Sequence, residues 1–388
     1  MSTQHELGAA ADEIAEELAS GLGGMEPDLV FAFAAGHEAG DLARLPGMLQ
    51  PWLGDGLLVG CNGSGVAGGG RELEDGPALA VLAALLTDVE LAATRLEQSA
   101  LPPVTAAREA WWDAAGVRPE AEPAFTLLAD PYTFDIEHCA RGLDRAFPGA
   151  TVIGGQASVP QRGQVCLLAG RDLHRSGGLL LSWTGNVAIE AIVSQGCRPV
   201  GEPLFVTACE GNRIRQLDGK SPRQALRDLY STLDASDREL FGQRRLQIGL
   251  ALPGPQQSVG PGDFLVRDVI GLDTDTDELA IGARPAVNAV VQFQMRDAAA
   301  AAADLDRELR KHRDAGLAPP AAALMFTCVA RGAVLFGVPG HDSGLFRRSF
   351  GDTPLAGLFC AGELGPVQSA TFLHGYSTVF GLIRPRRR

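Results

Sequence analysis

Short apolar runs alternate along this chain with segments of helical spacing. In the first block, DLVFAFAAG predicts a buried strand, HEAGDLARLPGMLQPWLG predicts a helix shortened by Pro46 and Pro51, and GLLVG predicts a second strand. The second block reads AFTLLAD, FDIEHCARGLDRAF and ATVIGGQAS, and the third reads ALMFTCVA, DSGLFRRSF and PLAGLFCAGELGPV. We therefore predict three related strand–helix–strand units, each ending in a glycine-rich loop.

The three predicted loops occupy the same position in their units, at residues 60–63, 154–156 and 360–363. After the first loop, PALAVLAALL and VELAATRL predict two neighbouring strands joined at Thr87 and Asp88, with a helix as the alternative for the first run. After the second, VCLLAG, GGLLLSW and NVAIEAIV predict strands linked by turns, and FLHGYSTVFGLI predicts one closing strand after the third. This order predicts an α/β fold of the mixed α+β class with mixed sheets.

Other segments do not follow this plan. The first residues predict an amphipathic helix with Leu7, Ile14 and Leu18 on one side. DFLVRDVIGLDTDTDELAIGARP predicts a hairpin, AVNAVVQFQMRD a long strand and AAAAAADLDRELRKH a helix. We place a lead-in at 1–27, an N-terminal domain at 28–215, a C-terminal domain at 216–383 and a basic tail at 384–388.

Composition narrows the function classes. The chain has 388 residues, of which 46% are hydrophobic, and its formal net charge of -14 repels nucleic-acid phosphates and anionic lipids. No apolar run approaches the roughly 20 residues of a membrane span. The seven cysteines contain no C-x-x-C pair, which indicates reduced thiols and a cytoplasmic location. We expect no nucleic-acid partner, no membrane association and no metal site.

The stretch VGCNGSGVAGGG places Gly63, Gly65 and Gly68 in the G-x-G-x-x-G spacing of dinucleotide-binding proteins. A pyrophosphate site requires a helix N-terminus directly after that loop. Here VAGGGRELEDGP follows, and each glycine costs about 0.8–1.0 kcal/mol and the proline about 3 kcal/mol inside a helix. We therefore predict that these glycines serve close backbone approach and positive φ angles instead.

Cysteine chemistry is one candidate for catalysis. Cys328 and Cys360 end strands in the third block, and His341 and His374 lie in the same block, so a Cys/His nucleophile and base are one interpretation. The alternative is that both thiols are buried as small hydrophobic groups, as cysteines often are.

A carboxylate and a guanidinium form a second candidate. Glu363 lies between a strand end and a Gly-Pro turn, where it could address a ligand amine. Arg331 could pair with a ligand carboxylate or with Glu363 itself. The structural alternative is an internal Arg–Glu ion pair. His374 could also ligate haem, although a lone histidine in an apolar segment is more often structural.

Long motifs carry a family resemblance. VSQGCRPVGEPLFVTACEGNRIRQLDGKSP, DFLVRDVIGLD, ALMFTCVARGAVLFG and LAGLFCAGELGPV followed by FLHGYST resemble the FIST domain family, as an N-terminal and a C-terminal FIST part. The resemblance spans about residues 28–383. It implies a sensory domain of intracellular signal transduction, suggested to bind small molecules such as amino acids and, in some bacterial relatives, haem.

The resemblance and the repeated units together give our functional hypothesis. We expect a stand-alone FIST sensor that binds a small metabolite and has a signalling protein partner, with no cofactor other than haem in one alternative. The other alternative is a cysteine-dependent enzyme using Cys328 or Cys360 with His374. The residues expected to line the pocket are Cys61, Asn62, Gly63, Gly154, Gly155, Gln156, Cys328, Arg331, Cys360, Gly362, Glu363 and His374.

Overall fold

The computed structural model describes residues 1–252 and 264–386, and these residues form two compact units. Unit 1 comprises Met1–Ser194, Leu305–Leu373 and Ser377–Arg388, and unit 2 comprises Gln195–Asp304 and His374–Tyr376. Two residues of the proposed basic tail, Arg387 and Arg388, lie outside the described residues. Each unit therefore draws on separated parts of the chain.

The helices, in chain order, are α1 (Leu7–Gly21), α2 (Ala39–Leu42), α3 (Leu45–Leu53), α4 (Arg108–Ala115), α5 (Ile136–Ala146), α6 (Pro222–Thr232), α7 (Ala235–Gly242), α8 (Ala298–Arg313), α9 (Gly332–Phe336) and α10 (His341–Phe350). The strands of the first half are β1 (Leu29–Ala35), β2 (Leu57–Gly63), β3 (Val66–Gly68), β4 (Arg71–Leu73), β5 (Ala78–Ala84), β6 (Val89–Leu96), β7 (Ala124–Ala129), β8 (Val152–Ala157), β9 (Leu167–Ala169), β10 (Asp172–His174), β11 (Gly178–Gly185) and β12 (Ala188–Ser194). The strands of the second half are β13 (Cys197–Pro199), β14 (Leu204–Glu210), β15 (Arg213–Leu217), β16 (Leu246–Ala251), β17 (Phe264–Leu272), β18 (Leu279–Ile281), β19 (Val290–Arg296), β20 (Ala322–Cys328), β21 (Leu355–Val367), β22 (Ala370–His374) and β23 (Thr378–Arg384).

The three predicted strand–helix–strand units are present in unit 1. Strands β1 and β2, β7 and β8, and β20 and β21 each form a parallel pair. Helices α2 and α3, helix α5, and helices α9 and α10 connect the respective pairs. In each unit the first strand also pairs antiparallel with a later strand, which is β5, β11 or β23. The repeat is therefore a shared pairing pattern as well as a shared order.

The strands of unit 1 form two mixed sheets. One has the order β10-β9-β2-β1-β5, and the other has β12-β23-β20-β21-β8-β7-β11-β6 with β22, β3 and β4 added to it. Unit 2 has the order β13-β19-β14-β15-β18-β17-β16, and β16 also pairs with β19, so six of these strands form a closed ring and β13 is added to it at β19. The mixed α+β class predicted from the sequence is confirmed.

Strand β1 shows why an uninterrupted apolar run forms a central strand. Alternate residues point to opposite faces of a strand. Phe31 and Phe33 pack on one face, where the Phe31 ring stacks on Trp183 with centroids 5.9 Å apart. Val30 on the other face belongs to the core cluster that contains Ile14 of α1. Both faces are covered, so both must be apolar.

The predicted glycine loops are wrong as loops, because all three segments lie within strands. Strand β2 continues to Gly63, β8 includes residues 154–156, and β21 runs through residues 360–363. Gly60 stands opposite Ala32, and a Cβ at Gly60 would lie 1.8 Å from the Ala32 carbonyl oxygen. Glycine is needed at position 60 because the backbone of β1 is close, and β2 continues through this position without a turn.

The register of the three parallel strand pairs identifies which glycines are equivalent in the three units, and it changes the glycine assigned to the third unit. Gly60 faces Ala32, Gly154 faces Leu127, and Gly357 faces Met325. A Cβ at Gly154 would lie 1.9 Å from the Leu127 oxygen, and one at Gly357 would lie 2.7 Å from the Met325 oxygen. The third equivalent glycine is therefore Gly357, five positions before the Gly362 that the sequence comparison suggested.

Several predicted strand pairings also differ from the structure. Strands β5 and β6 are strands as predicted, but β5 pairs with β1 and β6 with β11, in different sheets. Strand β11 lies between β7 and β6, whereas β12 pairs with β23. Strands β11 and β12 therefore do not form a hairpin with each other. The closing run FLHGYSTVFGLI divides into β22 and β23 around Gly375–Ser377. In contrast, the hairpin of β17 and β18 is confirmed.

The stretch after Gly63 confirms that no dinucleotide-binding helix is present at this point. Residues 66–73 form the short antiparallel pair of β3 and β4. Gly69 and Gly70, which connect these strands, have φ angles of 57° and 73°. A turn through this left-handed region is one that glycine adopts without steric cost.

Candidate functional site

The predicted site residues divide between the two units. All except His374 belong to unit 1, and His374 belongs to unit 2, where it is 4% exposed. In unit 1, antiparallel pairing of β8 with β21 places Gly155 opposite Glu363 and Gln156 opposite Gly362. Parallel pairing of β20 with β21 places Cys328 opposite Cys360. Sheet register thus brings together residues that are far apart in sequence.

These residues form a strand cluster, by which we mean Cys328, Arg331, Cys360, Glu363 and the neighbouring part of β8. It is packed closely: a Cβ at Gly155 would lie 2.5 Å from the Cys360 sulfur. Cys360 and Glu363 are fully buried, whereas Gln156 is half-buried and Ala361 is exposed. The register between β8 and β21 shifts between Cys360 and Gly362, which marks a β-bulge at Ala361. The bulge is thus the exposed part of β21 beside the buried Cys360 and Glu363.

A buried ion pair adjoins the strand cluster. Arg331 is 0% exposed and donates from Nε to Asp342 Oδ2 at 2.7 Å and from Nη2 to Oδ1 at 2.9 Å. The Thr327 hydroxyl donates to Oδ2 at 3.2 Å. His341 lies with Nδ1 2.9 Å from Oδ1, and its ring stacks on Phe336. The two-pronged geometry is that of a strong Arg–carboxylate pair.

The sequence left two partners open for Arg331, a ligand carboxylate or Glu363, and the structure shows a third, Asp342. Burial favours a higher pKa for Asp342, but Arg331 and His341 outweigh it and hold the pKa at about 2. Asp342 is therefore ionised at every physiological pH. The salt bridge of Arg331 is structural, and its charge reaches Glu363 by lowering the pKa of that carboxyl.

Glu363 and Glu72 are buried carboxyls that each keep one oxygen without a hydrogen-bond partner among the described residues, and Glu363 is the more deeply buried of the two. The Ser377 hydroxyl and backbone N–H donate to Oε2 at 2.7 and 3.3 Å. Within residues 1–252 and 264–386, the second oxygen, Oε1, has no hydrogen-bond partner. Burial raises the pKa of Glu363 to about 8, against the lowering effects of Ser377, Arg331 and the Cys328 thiol. Near neutral pH this group is largely a neutral acid, a state that burial commonly stabilises.

The thiols differ from those of nucleophilic cysteines. Burial raises the pKa of Cys360 well above that of a free thiol, and the nearby Glu363 and Cys61 raise it further. Burial also raises the pKa of Cys61. A thiolate is the reactive form of cysteine, so both groups are disfavoured as nucleophiles. Cys328 is 5% exposed, and the Ala330 N–H lies 3.5 Å from its sulfur.

Asn62 is committed to the local structure. Its Oδ1 accepts from the Cys166 N–H at 2.8 Å and its Nδ2 donates to the Gln164 carbonyl at 2.9 Å. Gly63, next in the strand, is also close to the second sheet, because a Cβ there would lie 2.7 Å from Leu358 Cδ1. Asn62 therefore has its side-chain amide occupied by the local structure, and Gly63 serves close packing against Leu358.

Sequence reasoning missed four polar residues near the strand cluster: Asp342, Ser377, Glu72 and Glu74. Glu72 accepts from the Ser343 N–H at 2.6 Å, and Glu74 accepts from the Ala333 N–H at 2.8 Å. Burial, together with the charge of Asp342, raises the pKa of Glu72 to about 7. Asp342 had a visible signal, an acid in the first turn of a helical run, whereas Glu72 lies in GRELEDG, which has the composition of a loop.

Neither a metal cluster nor a membrane-spanning helix is found in the parts of the chain that the structure describes. No group of three or more His, Cys, Asp or Glu side chains there could hold a metal ion. No helix in the same residues is long and apolar enough to cross a membrane.

The fold and the strand cluster define a mixed α+β protein with a buried acid next to a buried ion pair. Family comparison assigns residues 28–220 to the FIST N domain and residues 224–366 to the FIST C domain. The chain belongs to the FIST family. FIST domains are in general sensor domains of signal transduction.

The chain is similar over nearly its full length to mycobacterial proteins. An uncharacterised protein of Mycobacterium tuberculosis H37Rv is 35% identical over 386 residues, 98% of each chain. An uncharacterised protein of Mycobacterium bovis is 34% identical and covers 96% of this chain and 95% of its own. An F-box/LRR-repeat protein of Arabidopsis thaliana is 28% identical across 68% of this chain and 58% of its own length. A crystal structure of cyanuric acid hydrolase from A. caulinodans aligns with a TM-score of 0.33 and 11% identity, too low to establish a common fold.

Proposed function

We propose that the protein is a cytoplasmic FIST sensor that binds a small metabolite, with an amino acid as the first ligand class to test, and transmits the binding to a protein partner. The observation that carries the proposal is the buried Glu363 carboxyl, whose Oε1 has no partner within the described residues. An unpaired buried oxygen costs about 1–3 kcal/mol. A ligand donor such as an ammonium group would recover that cost.

The surroundings of Glu363 support recognition of a small polar ligand. The β-bulge at Ala361 is exposed beside the buried acid, and bulges are frequent next to binding sites. The Arg331–Asp342 pair next to it is fully buried, so the site has a rigid charged support. A ligand cation at Oε1 would favour the ionised form of Glu363 and release a proton near neutral pH.

Binding is favoured over turnover by the state of the thiols. A cysteine-dependent enzyme requires an accessible thiolate, and burial raises the pKa of Cys360. The cluster holds instead the Glu363 carboxyl with one unpartnered oxygen among the described residues, which suits recognition of a ligand donor.

A thermal-shift screen of the full chain with a metabolite panel, followed by native mass spectrometry of the hits, tests this proposal. A ligand should raise the melting temperature of wild type, since binding to the native state stabilises it. Glu363→Gln keeps the side-chain shape and should lose most of that shift, while Gln98→Glu, an exposed change elsewhere, should keep it. If no metabolite raises the melting temperature, the proposal fails; if a hit stabilises Glu363→Gln equally, Glu363 is not its contact.

A further inference from the structure

A cavity lies in unit 2, and none of its lining residues belongs to the strand cluster of unit 1. Its volume is about 320 Å³, and it lies between α6 and the strands β14, β15 and β19. Ligand cavities commonly range from about 300 to 1,000 Å³. The space therefore suits one small molecule.

The floor of this cavity is apolar. Leu217 and Phe293 are 1% and 2% exposed, and Ala225 and Leu229 on α6 are 7% and 6% exposed. Packing therefore holds these four side chains in place. Half-buried Leu204 adds to the wall. An apolar surface with an aromatic ring favours the hydrocarbon body of a ligand.

One wall depends on a glycine. Gly201 has a φ of 68°, and a Cβ at this position would lie 2.8 Å from Leu229 Cδ1. The loop before β14 can therefore pass directly over α6. The Gly201 carbonyl accepts from Gln292 Nε2 at 2.6 Å, which holds the loop in place. The cavity is a formed feature of unit 2.

The rim carries an excess of negative charge. Lys220 and Asp228 form an ion pair at 2.6 Å, which neutralises both, and Gln224 donates to the other Asp228 oxygen at 2.7 Å. Two rim carboxylates then remain, Glu202 and Asp218. Asp218 Oδ1 accepts the Phe205 N–H at 2.9 Å but keeps its charge, and Glu202 is exposed on the loop. A ligand with an apolar body and a cationic group would match both the apolar floor and the negatively charged rim.

We infer that this cavity binds an amphipathic cation, a primary amine attached to an aryl or alkyl body, with the body on Phe293 and Leu229 and the ammonium group facing Glu202. The site is independent of the function proposed for Glu363. Its ligand class is defined by the apolar floor and by a rim whose unneutralised charges are both negative.

Three probes of matched size test the ligand class on the full chain: phenethylamine, 3-phenylpropionate and phenethyl alcohol, titrated by isothermal calorimetry. Phenethylamine should bind about two- to five-fold more tightly than the alcohol, as expected for an exposed charge contact, and the anion should bind most weakly. Raising the salt concentration should reduce the preference for the amine. Equal binding of the amine and the anion, or no binding of the amine, would overturn the inference.

Variants locate the probe. Glu202→Lys changes an exposed loop residue and should weaken phenethylamine binding about ten-fold, whereas Glu239→Lys, the same charge change on α7 away from the cavity lining, should have little effect. Leu204→Trp narrows the cavity from its half-buried wall and should abolish binding of the amine and the alcohol alike. Equal losses in the Glu202 and Glu239 variants would show a general charge effect and refute the site.

Discussion

Replacing Asp342 with asparagine isolates the value of the buried ion pair. The substitution keeps the shape of the side chain but leaves the Arg331 guanidinium, which is 0% exposed, without its counter-charge. Removing one partner of a buried pair costs about 3–5 kcal/mol, because the remaining charge stays buried. The total stability of a domain is about 5–15 kcal/mol, so the loss should be a large fraction of it.

The exposed pair of Arg347 and Asp352 provides a matched control in the same unit. These side chains are 64% and 93% exposed and lie 3.5 Å apart, so Asp352→Asn should change the free energy of unfolding by less than about 1 kcal/mol. Asp342→Asn and Asp352→Asn are the same substitution in an Arg–Asp pair, and the two pairs differ in how deeply they are buried.

Urea unfolding followed by tryptophan fluorescence is the suitable assay. All four tryptophans, at positions 52, 111, 112 and 183, belong to unit 1, so the signal reports the unit that contains the pair. If Asp342→Asn loses no more free energy than Asp352→Asn, the reasoning about the buried charge is refuted. A double variant, Arg331→Leu with Asp342→Leu, should recover part of the loss since it removes both charges.

Three further predictions concern other residues. Because the folded-state pKa of Glu363, about 8, lies above its ordinary value of 4.5, the stability that Glu363 contributes is fully present below pH 4.5 and is lost as pH rises through 8. Glu363→Gln should therefore remove a slope of about 1.4 kcal/mol per pH unit, measured as the difference in unfolding free energy between the two proteins from pH 5 to pH 8. Equal pH profiles would contradict this assignment. Gly60→Ala should destabilise unit 1 by about 3 kcal/mol, because the new Cβ would overlap with the Ala32 oxygen. Gly47→Ala in α3 has open space around it and should stabilise the protein by about 0.5–1 kcal/mol in the same urea assay. In iodoacetamide labelling of native protein at neutral pH, read by mass spectrometry, the half-exposed Cys197 should react before the buried Cys360; the reverse order would favour the cysteine-dependent enzyme.

Local pattern was enough to predict the repeated units of this fold. The uninterrupted apolar run of β1 and the helical spacing of α5 are properties of single segments, and both elements formed where expected. Pairing is a property of two segments, and the neighbours assigned to β5 and β6 were wrong because each strand pairs with a partner elsewhere in the sequence. The glycine-rich segments gave a second error, because they were predicted as loops and lie within strands. In the sequence, a glycine required by a close neighbouring strand cannot be distinguished from a glycine required by a turn.

The strand cluster was predictable only in part. Glu363 and Arg331 were recognisable as unusual residues next to strand ends, and the motifs that resemble the FIST family contain both. The partner of Arg331 depends on how α10 packs, and the sequence suggested only a ligand carboxylate or Glu363, while the structure shows Asp342. The unpaired Glu363 oxygen is a property of the three-dimensional packing and has no signature in the sequence. The role of His374, including haem ligation, stays a prediction that a Soret band lost in His374→Ala would support.

The order of pairing in unit 1 has a consequence for synthesis on the ribosome. Strand β12 ends at Ser194, but its partner β23 begins only at Thr378, and the same late strand also completes β20. At the usual elongation rate of about 5–20 residues per second, β12 waits roughly ten to forty seconds for its neighbour. During this time its edge is open to other chains. Nascent chains interrupted before residue 378 should therefore be prone to aggregation and depend on chaperones.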